Sequence, residues 1–165
     1  MTAANQYDEQ LFEQLYERNY QMVYRLCYTY MKNSYDAEDC TEDVFVKVYT
    51  GQLHFNDENH EKAYLSVMAI NTCKDHLRAF WRKKVIADED IERHSYTVDR
   101  SSSYLLQEIM NLPDKYKDVV YMHYYLGYKT DEVAELLKRK PSTVRNQLAE
   151  ARKLLKNRLE EIDNE

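Results

Sequence analysis

Glycine and proline are nearly absent from this chain of 165 residues, which contains only two of each. Tight turns and hairpins depend on these residues, so their scarcity argues against strand-rich folds that reverse direction at short intervals. No apolar run approaches the ~18 residues that a membrane-spanning helix needs, and residues 1–10 do not resemble a secretory signal. We therefore expect an all-α protein that acts in the cytoplasm without membrane insertion.

Cysteine is also sparse. Cys27, Cys40 and Cys73 are odd in number and widely separated, so neither a disulfide framework nor zinc-ligand spacing is present. The sequence predicts buried, reduced thiols, with no metal site. The five histidines show no ligand or catalytic-triad spacing either. We accordingly expect no cofactor and no enzymatic activity.

The net charge of -6 conceals a strong segregation of charge along the chain. Residues 1–60 carry 4 Lys and Arg against 11 Asp and Glu, whereas residues 74–84 carry five basic residues against one acidic residue. Residues 129–158 contain nine basic and four acidic residues. Two basic patches on an acidic chain suggest two contacts with DNA, together with acidic surface for a protein partner, although charge alone favours ordinary solvated helix faces.

Apolar periodicity predicts two small helical domains joined by a flexible linker. In residues 8–84 we expect three helices, with stops at Asn33-Ser34 and at Gly51. A polar loop is predicted at residues 55–62 before the third helix. The predicted core residues of that helix are Ile70, Leu77 and Trp81. Residues 85–103 turn acidic and polar and lose their periodicity, which is typical of a linker.

Residues 104–160 form the second predicted domain. Leu112-Pro113 interrupts its first helix, Val119 to His123 lie on the next, and Gly127 reverses the chain. A pair of helices at 130–138 and 142–160 follows, with Pro141 suited to the first turn of the second helix. The predicted facing apolar positions are Val133, Ala134, Leu137, Val144, Leu148, Ala151 and Leu155.

This last helix pair has the pattern of a DNA-binding helix-turn-helix, in which the second helix enters the major groove. Arginine can pair with guanine, asparagine or glutamine with adenine, and lysine can neutralise phosphates. An ordinary helical hairpin with a charged face is the alternative interpretation. The residues predicted to contact duplex DNA are Lys138, Arg139, Lys140, Ser142, Thr143, Arg145, Asn146, Gln147, Glu150 and Lys153.

One face of the third helix combines aromatic, amide and cationic side chains. Its members follow spacings of three and four residues: Tyr64, Met68, Asn71, Asp75, Arg78 and Arg82. Such a face suits unpaired DNA, where exposed bases need stacking partners and hydrogen bonds. An amphipathic helix with a basic end explains the same pattern equally well.

Several short motifs resemble the bacterial sigma factors of the extracytoplasmic-function type, the smallest relatives of sigma-70, over roughly residues 10–158. In the first domain they are Asp36-Ala37-Glu38-Asp39, Glu42-Asp43-Val44-Phe45-Val46-Lys47, Ala63-Tyr64-Leu65, Asn71, Asp75 and Arg78. In the second they are Leu112-Pro113, Tyr125-Leu126-Gly127-Tyr128, Glu132-Val133-Ala134, Thr143-Val144-Arg145 and Ala151-Arg152.

This resemblance implies an alternative sigma factor that directs promoter-specific transcription initiation. The first domain would be region 2, which binds the clamp of core RNA polymerase and melts the minus 10 element. The second would be region 4, which docks on the polymerase flap and reads the minus 35 element. The linker would thread the polymerase channels, and an anti-sigma factor would regulate the protein. The sequence itself does not indicate oligomerisation, so we expect the free chain to be monomeric.

Individual roles follow from the same resemblance. The residues implied in polymerase binding are Asp39, Glu42, Asp43 and Val46. The residues implied in minus 10 recognition are Phe55, Tyr64, Asn71, Lys74, Asp75, Arg78 and Arg82. Ser142, Gln147 and Glu150 depart from the residues usual in the family at these positions, so we expect a minus 35 preference that differs from the family's usual one.

Two other classes of protein remain open at this point. A free-standing helix-turn-helix regulator would explain the second domain but not the motifs between Asp36 and Arg78. An anti-sigma or adaptor protein would explain the acidic surface but neither of the basic patches. Transcription with purified core polymerase would separate these classes from a sigma factor.

Overall fold

The computed structural model describes residues 8–87 and 104–163. The chain divides into two compact units, Met1–Tyr96 and Thr97–Glu165, which we call unit 1 and unit 2. Every regular element in the described ranges is a helix, which confirms the predicted all-α fold class. Most of the predicted linker, residues 88–103, lies outside the described residues. None of the helices described is both long and apolar enough to span a bilayer.

Unit 1 consists of α1 (Glu9–Met31), α2 (Ser34–Thr50) and α3 (Glu58–Ala87). The Asp8 carboxylate caps α1 by accepting from the first backbone N–H groups of that helix. The Asn33 side chain caps α2 by accepting from the Asp36 N–H at 2.8 Å. Gly51 ends α2. The boundaries predicted at Asn33-Ser34 and Gly51 are therefore confirmed.

Two predictions about α3 are wrong. The helix begins at Glu58, inside the predicted loop 55–62, because the Asp57 carboxylate accepts from the His60 N–H at 2.7 Å and caps the helix. Trp81, predicted to lie in the core, is 49% exposed, and Leu77 is only half-buried. The core contributed by α3 is therefore centred further towards its amino end, at Leu65 and Ile70.

The three cysteines meet in the core of unit 1, one from each helix. Cys27, Cys40 and Cys73 are fully buried and free, as the sequence predicted. Hydrogen bonds to Cys27 and Cys40, together with burial, raise the pKa of the Cys73 thiol. Because a buried thiolate would be poorly solvated, Cys73 remains protonated at neutral pH. The cysteines thus contribute to the packing of the three helices.

A polar link also joins α1 to α3. The Glu61 side chain is almost completely buried and accepts from the Arg18 guanidinium through both carboxylate oxygens, at 3.0 and 2.8 Å. The Asn19 amide donates to the same carboxylate. The buried charge of Glu61 is therefore compensated by a cation whose side chain remains 40% exposed.

Unit 2 consists of α4 (Tyr104–Met110), α5 (Asp114–Val120), a π-helical turn (Tyr121–Tyr125), α6 (Thr130–Leu137) and α7 (Pro141–Asp163). The predicted break at Leu112-Pro113 separates α4 from α5. His123 lies on the π-helical turn, beyond the end of α5. Gly127 has a φ of 77°, a left-handed conformation that glycine adopts without strain, and it reverses the chain before α6.

The interface between α6 and α7 follows the predicted apolar pattern. Five of the predicted facing residues are buried: Val133, Ala134, Val144, Leu148 and Ala151. Lys138 ends α6 in the left-handed conformation with a φ of 55°, and Pro141 is the first residue of α7. The short turn and the small Ala134 side chain bring the two helices together, as in a helix-turn-helix.

Candidate nucleic-acid and polymerase interfaces

The outer face of α2 carries the acidic residues predicted to bind polymerase. Asp39, Glu42 and Asp43 are exposed, and beside them Val46 is 57% exposed. Asp43 also contacts α3, because its carboxylate lies 2.6 Å from Nε2 of His76. We call Asp39, Glu42, Asp43 and Val46 the acidic face. It places negative charge beside an exposed apolar side chain, which suits contact with a partner surface of positive charge.

A row of aromatic rings runs along α1 and packs in part against α2, the helix that carries the acidic face. They recur at four-residue intervals: Phe12, Tyr16, Tyr20, Tyr24 and Tyr28. Tyr16 also packs edge-on against Phe45 of α2, with 4.8 Å between ring centroids. Burial, the neighbouring Tyr16 and the carboxylates of Glu38 and Glu42 raise the pKa of Tyr20. This row was not predicted, although its four-residue period is visible in the sequence.

The predicted single-strand surface occupies one face of α3. Tyr64, Asn71, Asp75, Arg78 and Arg82 are exposed, whereas Met68 and Lys74 are half-buried; we call these seven residues the α3 face. Asp75 and Arg78 form an ion pair on this face. The order along the helix runs from an aromatic residue, through an amide, to two guanidinium groups. It therefore offers stacking at one end and phosphate-binding charge at the other.

An aromatic cluster lies at the amino end of the α3 face. The Phe55 ring approaches Tyr64 and His60, with centroid distances of 5.3 and 5.5 Å. The Nδ1 atom of His60 accepts from the Asn56 N–H at 3.2 Å. Phe55 therefore lies in a loop, as predicted, but it packs on the first turns of a helix. His60 was not among the predicted site residues.

The helix-turn-helix presents most of its predicted DNA-binding side chains to solvent. The exposed ones are Lys138, Lys140, Ser142, Thr143, Arg145, Asn146, Glu150 and Lys153. Lys153 pairs with Glu150 at 3.5 Å, one turn apart on α7. Arg145 lies 3.9 Å from Asp131 of α6. Both pairs are exposed, so each side chain can exchange its partner for a phosphate or a base at small cost.

Arg139 and Gln147 are placed differently from the expectation. Instead of extending to solvent, the Arg139 guanidinium makes two hydrogen bonds to the fully buried Asp118 carboxylate, at 3.0 and 2.5 Å. It also donates to Oε1 of Gln147 at 3.0 Å, and Gln147 is half-buried. Asp118 was not predicted as a site residue, although a carboxylate next to the apolar Val119-Val120 pair is visible in the sequence.

Across the described residues, no three His, Cys, Asp or Glu side chains converge in a way that could hold a metal ion. The surfaces present carboxylates on α2, rings and guanidinium groups on α3, and lysines, arginine and amides on α7. Surfaces of this kind bind macromolecules through charge, stacking and hydrogen bonds.

Comparison with known proteins gives two family matches, each of which falls on one unit. Residues 15–83 match the Sigma-70 region 2 family, and residues 102–155 match the Sigma-70, region 4 family. The chain is 23% identical over 156 residues to the ECF RNA polymerase sigma factor SigW of Bacillus subtilis, covering 82% of each chain. It is 25% identical over 144 residues to the ECF RNA polymerase sigma-E factor of Haemophilus influenzae, covering 77% of this chain and 76% of that one.

A solved structure supports the same fold. The sigma factor RpoE, crystallised in complex with the anti-sigma factor NepR from Bartonella quintana, matches with a TM-score of 0.72 at 17% identity. The match covers 90% of this chain and 96% of RpoE. A free-standing helix-turn-helix regulator would lack the region 2 match. The chain therefore belongs to the sigma-70 family as a sigma factor of the extracytoplasmic-function type, a non-enzymatic transcription initiation factor that binds core RNA polymerase and promoter DNA.

Proposed function

We propose that the three exposed surfaces divide the work of initiation between them. The acidic face of α2 docks on the polymerase clamp, and the α3 face holds the unpaired strand of the minus 10 element. The helix-turn-helix of unit 2 reads the minus 35 element while unit 2 contacts the polymerase flap. The observation that carries the proposal is the α3 face, where an aromatic cluster, an exposed amide and exposed arginines follow one another along a single helix.

The aromatic cluster favours capture of an unstacked base. Tyr64 is 43% exposed and its ring meets that of Phe55 at a tilted angle, so part of the Tyr64 ring remains available to stack on a base. Asn71, two turns further along α3, offers a donor and an acceptor to a base edge. Arg78 and Arg82 then continue the face with positive charge for the phosphates that follow.

The amino end of α7 favours duplex recognition. Arg145 and Asn146 are exposed there, and both side chains can bond to purine edges in the major groove. Lys138, Lys140 and Lys153 supply positive charge for phosphates around them. Arg139, in contrast, is engaged with Asp118, so we assign it a positioning role in place of the phosphate contact expected from the sequence.

Regulation and location follow from the family. RpoE of Bartonella quintana was crystallised with an anti-sigma factor, so we propose that an anti-sigma factor also binds this chain. Since core polymerase and the chromosome lie in the bacterial cytoplasm, the chain acts there. We further propose that the free chain is monomeric, because polymerase, promoter and anti-sigma factor account for the exposed surfaces without self-association.

Run-off transcription with purified core polymerase tests the proposal. The full chain should direct core polymerase to initiate at a defined promoter, and neither component should do so alone. If the chain binds duplex DNA tightly without polymerase and supports no transcript, the free-standing regulator is the correct class. Permanganate reactivity of thymines near the start site would show in the same reactions whether the complex opens the DNA.

The clamp interface is tested by Glu42→Lys. Reversing an exposed charge at a complementary interface should weaken core polymerase binding by at least about tenfold, because like charges then face each other. The fold should be unaffected, since Glu42 is exposed. The measurement is competition with wild-type protein for core polymerase, and the matched control is Glu13→Lys, an equal charge change on the exposed part of α1. Equal competition by Glu42→Lys and wild type would show that the clamp binds elsewhere.

A further inference from the structure

A buried carboxylate, that of Asp118, binds Arg139 in the turn of the helix-turn-helix. Asp118 on α5 is fully buried, and its Oδ1 atom accepts from the Val119 N–H at 2.8 Å. The Arg139 guanidinium satisfies both carboxylate oxygens, through Nη1 at 3.0 Å and Nη2 at 2.5 Å. Because guanidinium is a planar fork, two bonds to one carboxylate fix both its position and its plane.

The same guanidinium determines which way the Gln147 amide points. Nη1 carries two hydrogens; one bonds to Asp118 and the other to the Gln147 side chain at 3.0 Å. Arginine can only donate, so the atom of Gln147 that faces it must be the oxygen, not the nitrogen. Although oxygen and nitrogen of an amide are easily exchanged in a structure, the chemistry of the partner allows only one assignment here.

We propose that Asp118 and Arg139 are positioning residues that lock the Gln147 amide with its nitrogen towards DNA, so that Gln147 recognises a hydrogen-bond acceptor on a base edge. The inference rests on the proposed minus 35 role of α7 and adds the chemistry of one position. Gln147 lies beside the exposed Arg145 and Asn146 on that helix and remains partly exposed.

Gln147 then presents only its amide nitrogen, a hydrogen-bond donor, to the DNA. A freely rotating glutamine would offer both a donor and an acceptor. In the major groove the acceptors are guanine O6 and N7, thymine O4 and adenine N7, whereas cytosine N4 and adenine N6 donate. An amide oxygen that already accepts from a cation is a weaker acceptor for a second donor. Gln147 should therefore favour guanine or thymine at its base pair and disfavour cytosine, and it should lack the paired contact to adenine that a free glutamine makes.

Replacing Gln147 with glutamate should reverse the base preference at this position. In Gln147→Glu one carboxylate oxygen can still accept from Arg139, but the atom turned towards the DNA becomes an acceptor in place of a donor. The preferred base should change to cytosine or adenine, whose amino groups donate. The control is Asn157→Asp, which adds the same charge at an exposed position further along α7.

The experiment selects promoters from a library randomised in the minus 35 element, using holoenzyme assembled with the full chain. Wild type should select an acceptor base at one position, and Gln147→Glu should shift that preference by roughly tenfold towards cytosine or adenine. Asn157→Asp should select as wild type does. If Gln147→Glu selects the wild-type sequences, the inference is wrong, although minus 35 recognition by the other residues stands. Absence of any minus 35 selection by wild type would overturn the proposed role of α7 and this inference with it.

Two further variants test whether the lock acts through the buried pair. Asp118→Asn removes the charge that holds Arg139, and Arg139→Lys keeps the charge but replaces the fork with a single point donor. Each should broaden the choice at the Gln147 base pair without changing the salt dependence of binding, because no phosphate contact is lost. Circular dichroism identifies any variant that fails to fold, and the base preference is then measured with the variant that folds. Unchanged discrimination at that base pair would limit Asp118 and Arg139 to a purely structural role.

Discussion

The two units differ in how they hold the charged side chains of their DNA-binding surfaces. On the α3 face of unit 1, Asp75 and Arg78 pair at the surface, with both side chains more than 60% exposed. In unit 2, Arg139 pairs with a carboxylate that has no solvent access at all. A surface pair contributes little to stability and exchanges partners freely, whereas a buried pair is strongly destabilised when one partner is removed.

From this difference we expect Arg139 to position its neighbours in the helix-turn-helix and not to contact DNA. Arg78 and Arg82 are exposed and can reach a phosphate at small cost, since Arg78 has only to exchange its exposed pair with Asp75. Arg139 would first have to give up its two hydrogen bonds to the fully buried Asp118 carboxylate. The surface of unit 1 is therefore adaptable, while the turn of unit 2 is fixed before DNA arrives. Fixed geometry suits base recognition, and an adaptable surface suits a flexible single strand.

The largest expected loss of stability comes from breaking the buried pair of Asp118 and Arg139 in unit 2. Asp118→Ala should destabilise unit 2 by about 3–5 kcal/mol, because the Arg139 guanidinium then remains largely buried without its partner. Urea denaturation should show an early loss of circular dichroism, while fluorescence of Trp81, the single tryptophan, should report an unchanged unit 1. Glu160→Ala, which removes one partner of an exposed pair with Lys156, is the control and should change little.

The nearest counterpart in unit 1 is the pair of Glu61 and Arg18, and breaking it should lower the free energy of unfolding by a smaller amount. Glu61→Ala removes a buried carboxylate, but its partner Arg18 is 40% exposed and can be solvated by water. We expect a loss of about 1–3 kcal/mol, mainly from unpaired hydrogen-bond groups such as the Asn19 amide. Trp81 fluorescence during urea denaturation measures it, with Glu13→Ala as the exposed control. A loss as large as that for Asp118→Ala would remove the contrast between the two units.

Features set by residues that are close together along the chain could be predicted from the sequence, whereas contacts between separate helices could not. Helical period correctly predicted the apolar side of α6 and α7, and Asn33, Gly51, Pro113 and Gly127 correctly marked ends and breaks, because these signals are local. The start of α3 was misplaced because the Asp57 cap was overlooked within a polar stretch. Trp81 was misassigned because the period alone does not show where a helix extends beyond its partners.

The candidate sites show the limit more clearly. The exposed residues of the acidic face and the α3 face could be predicted, since a face follows from spacing along a single helix. The link from Asp118 through Arg139 to Gln147 joins α5, the turn and α7. Sequence spacing carries no information about pairs of this kind, because their approach depends on how separate helices pack. Arg139 therefore looked like its lysine neighbours, Lys138 and Lys140.

The adaptable surface of unit 1 is tested by Tyr64→Ala. Loss of a stacking ring should reduce promoter opening by about 1–3 kcal/mol, with a smaller effect on formation of the closed complex. Permanganate reactivity measures opening, and a filter-binding or mobility-shift assay measures total binding. Tyr35→Ala, at an exposed tyrosine of α2, is the control. Asn71→Ala should behave as Tyr64→Ala does if the amide contacts the same unpaired strand. Equal losses of binding and opening would indicate a general role in affinity.

The smallest expected effect concerns Lys153, an exposed cation on α7. Lys153→Ala should weaken binding to all minus 35 sequences alike and reduce the slope of log affinity against log salt by about 0.9, the value for one phosphate contact on duplex DNA. Lys115→Ala, at an exposed lysine of α5, should leave the slope unchanged.

The pairing of Lys153 with Glu150 adds a second measurement. The two lie 3.5 Å apart, so Lys153 must share its charge between Glu150 and a phosphate, or leave Glu150 altogether. If it leaves, Glu150 is free to accept from a cytosine or adenine amino group, and Glu150→Arg should change the preference at one or two adjacent base pairs. If it stays, Glu150→Arg should alter affinity for every sequence equally, and Lys153→Ala should change the salt slope by less than the value for a full contact. Measuring both variants on the randomised minus 35 library therefore determines whether an exposed pair on α7 is exchanged on binding DNA, as the surface pairs of unit 1 are expected to be.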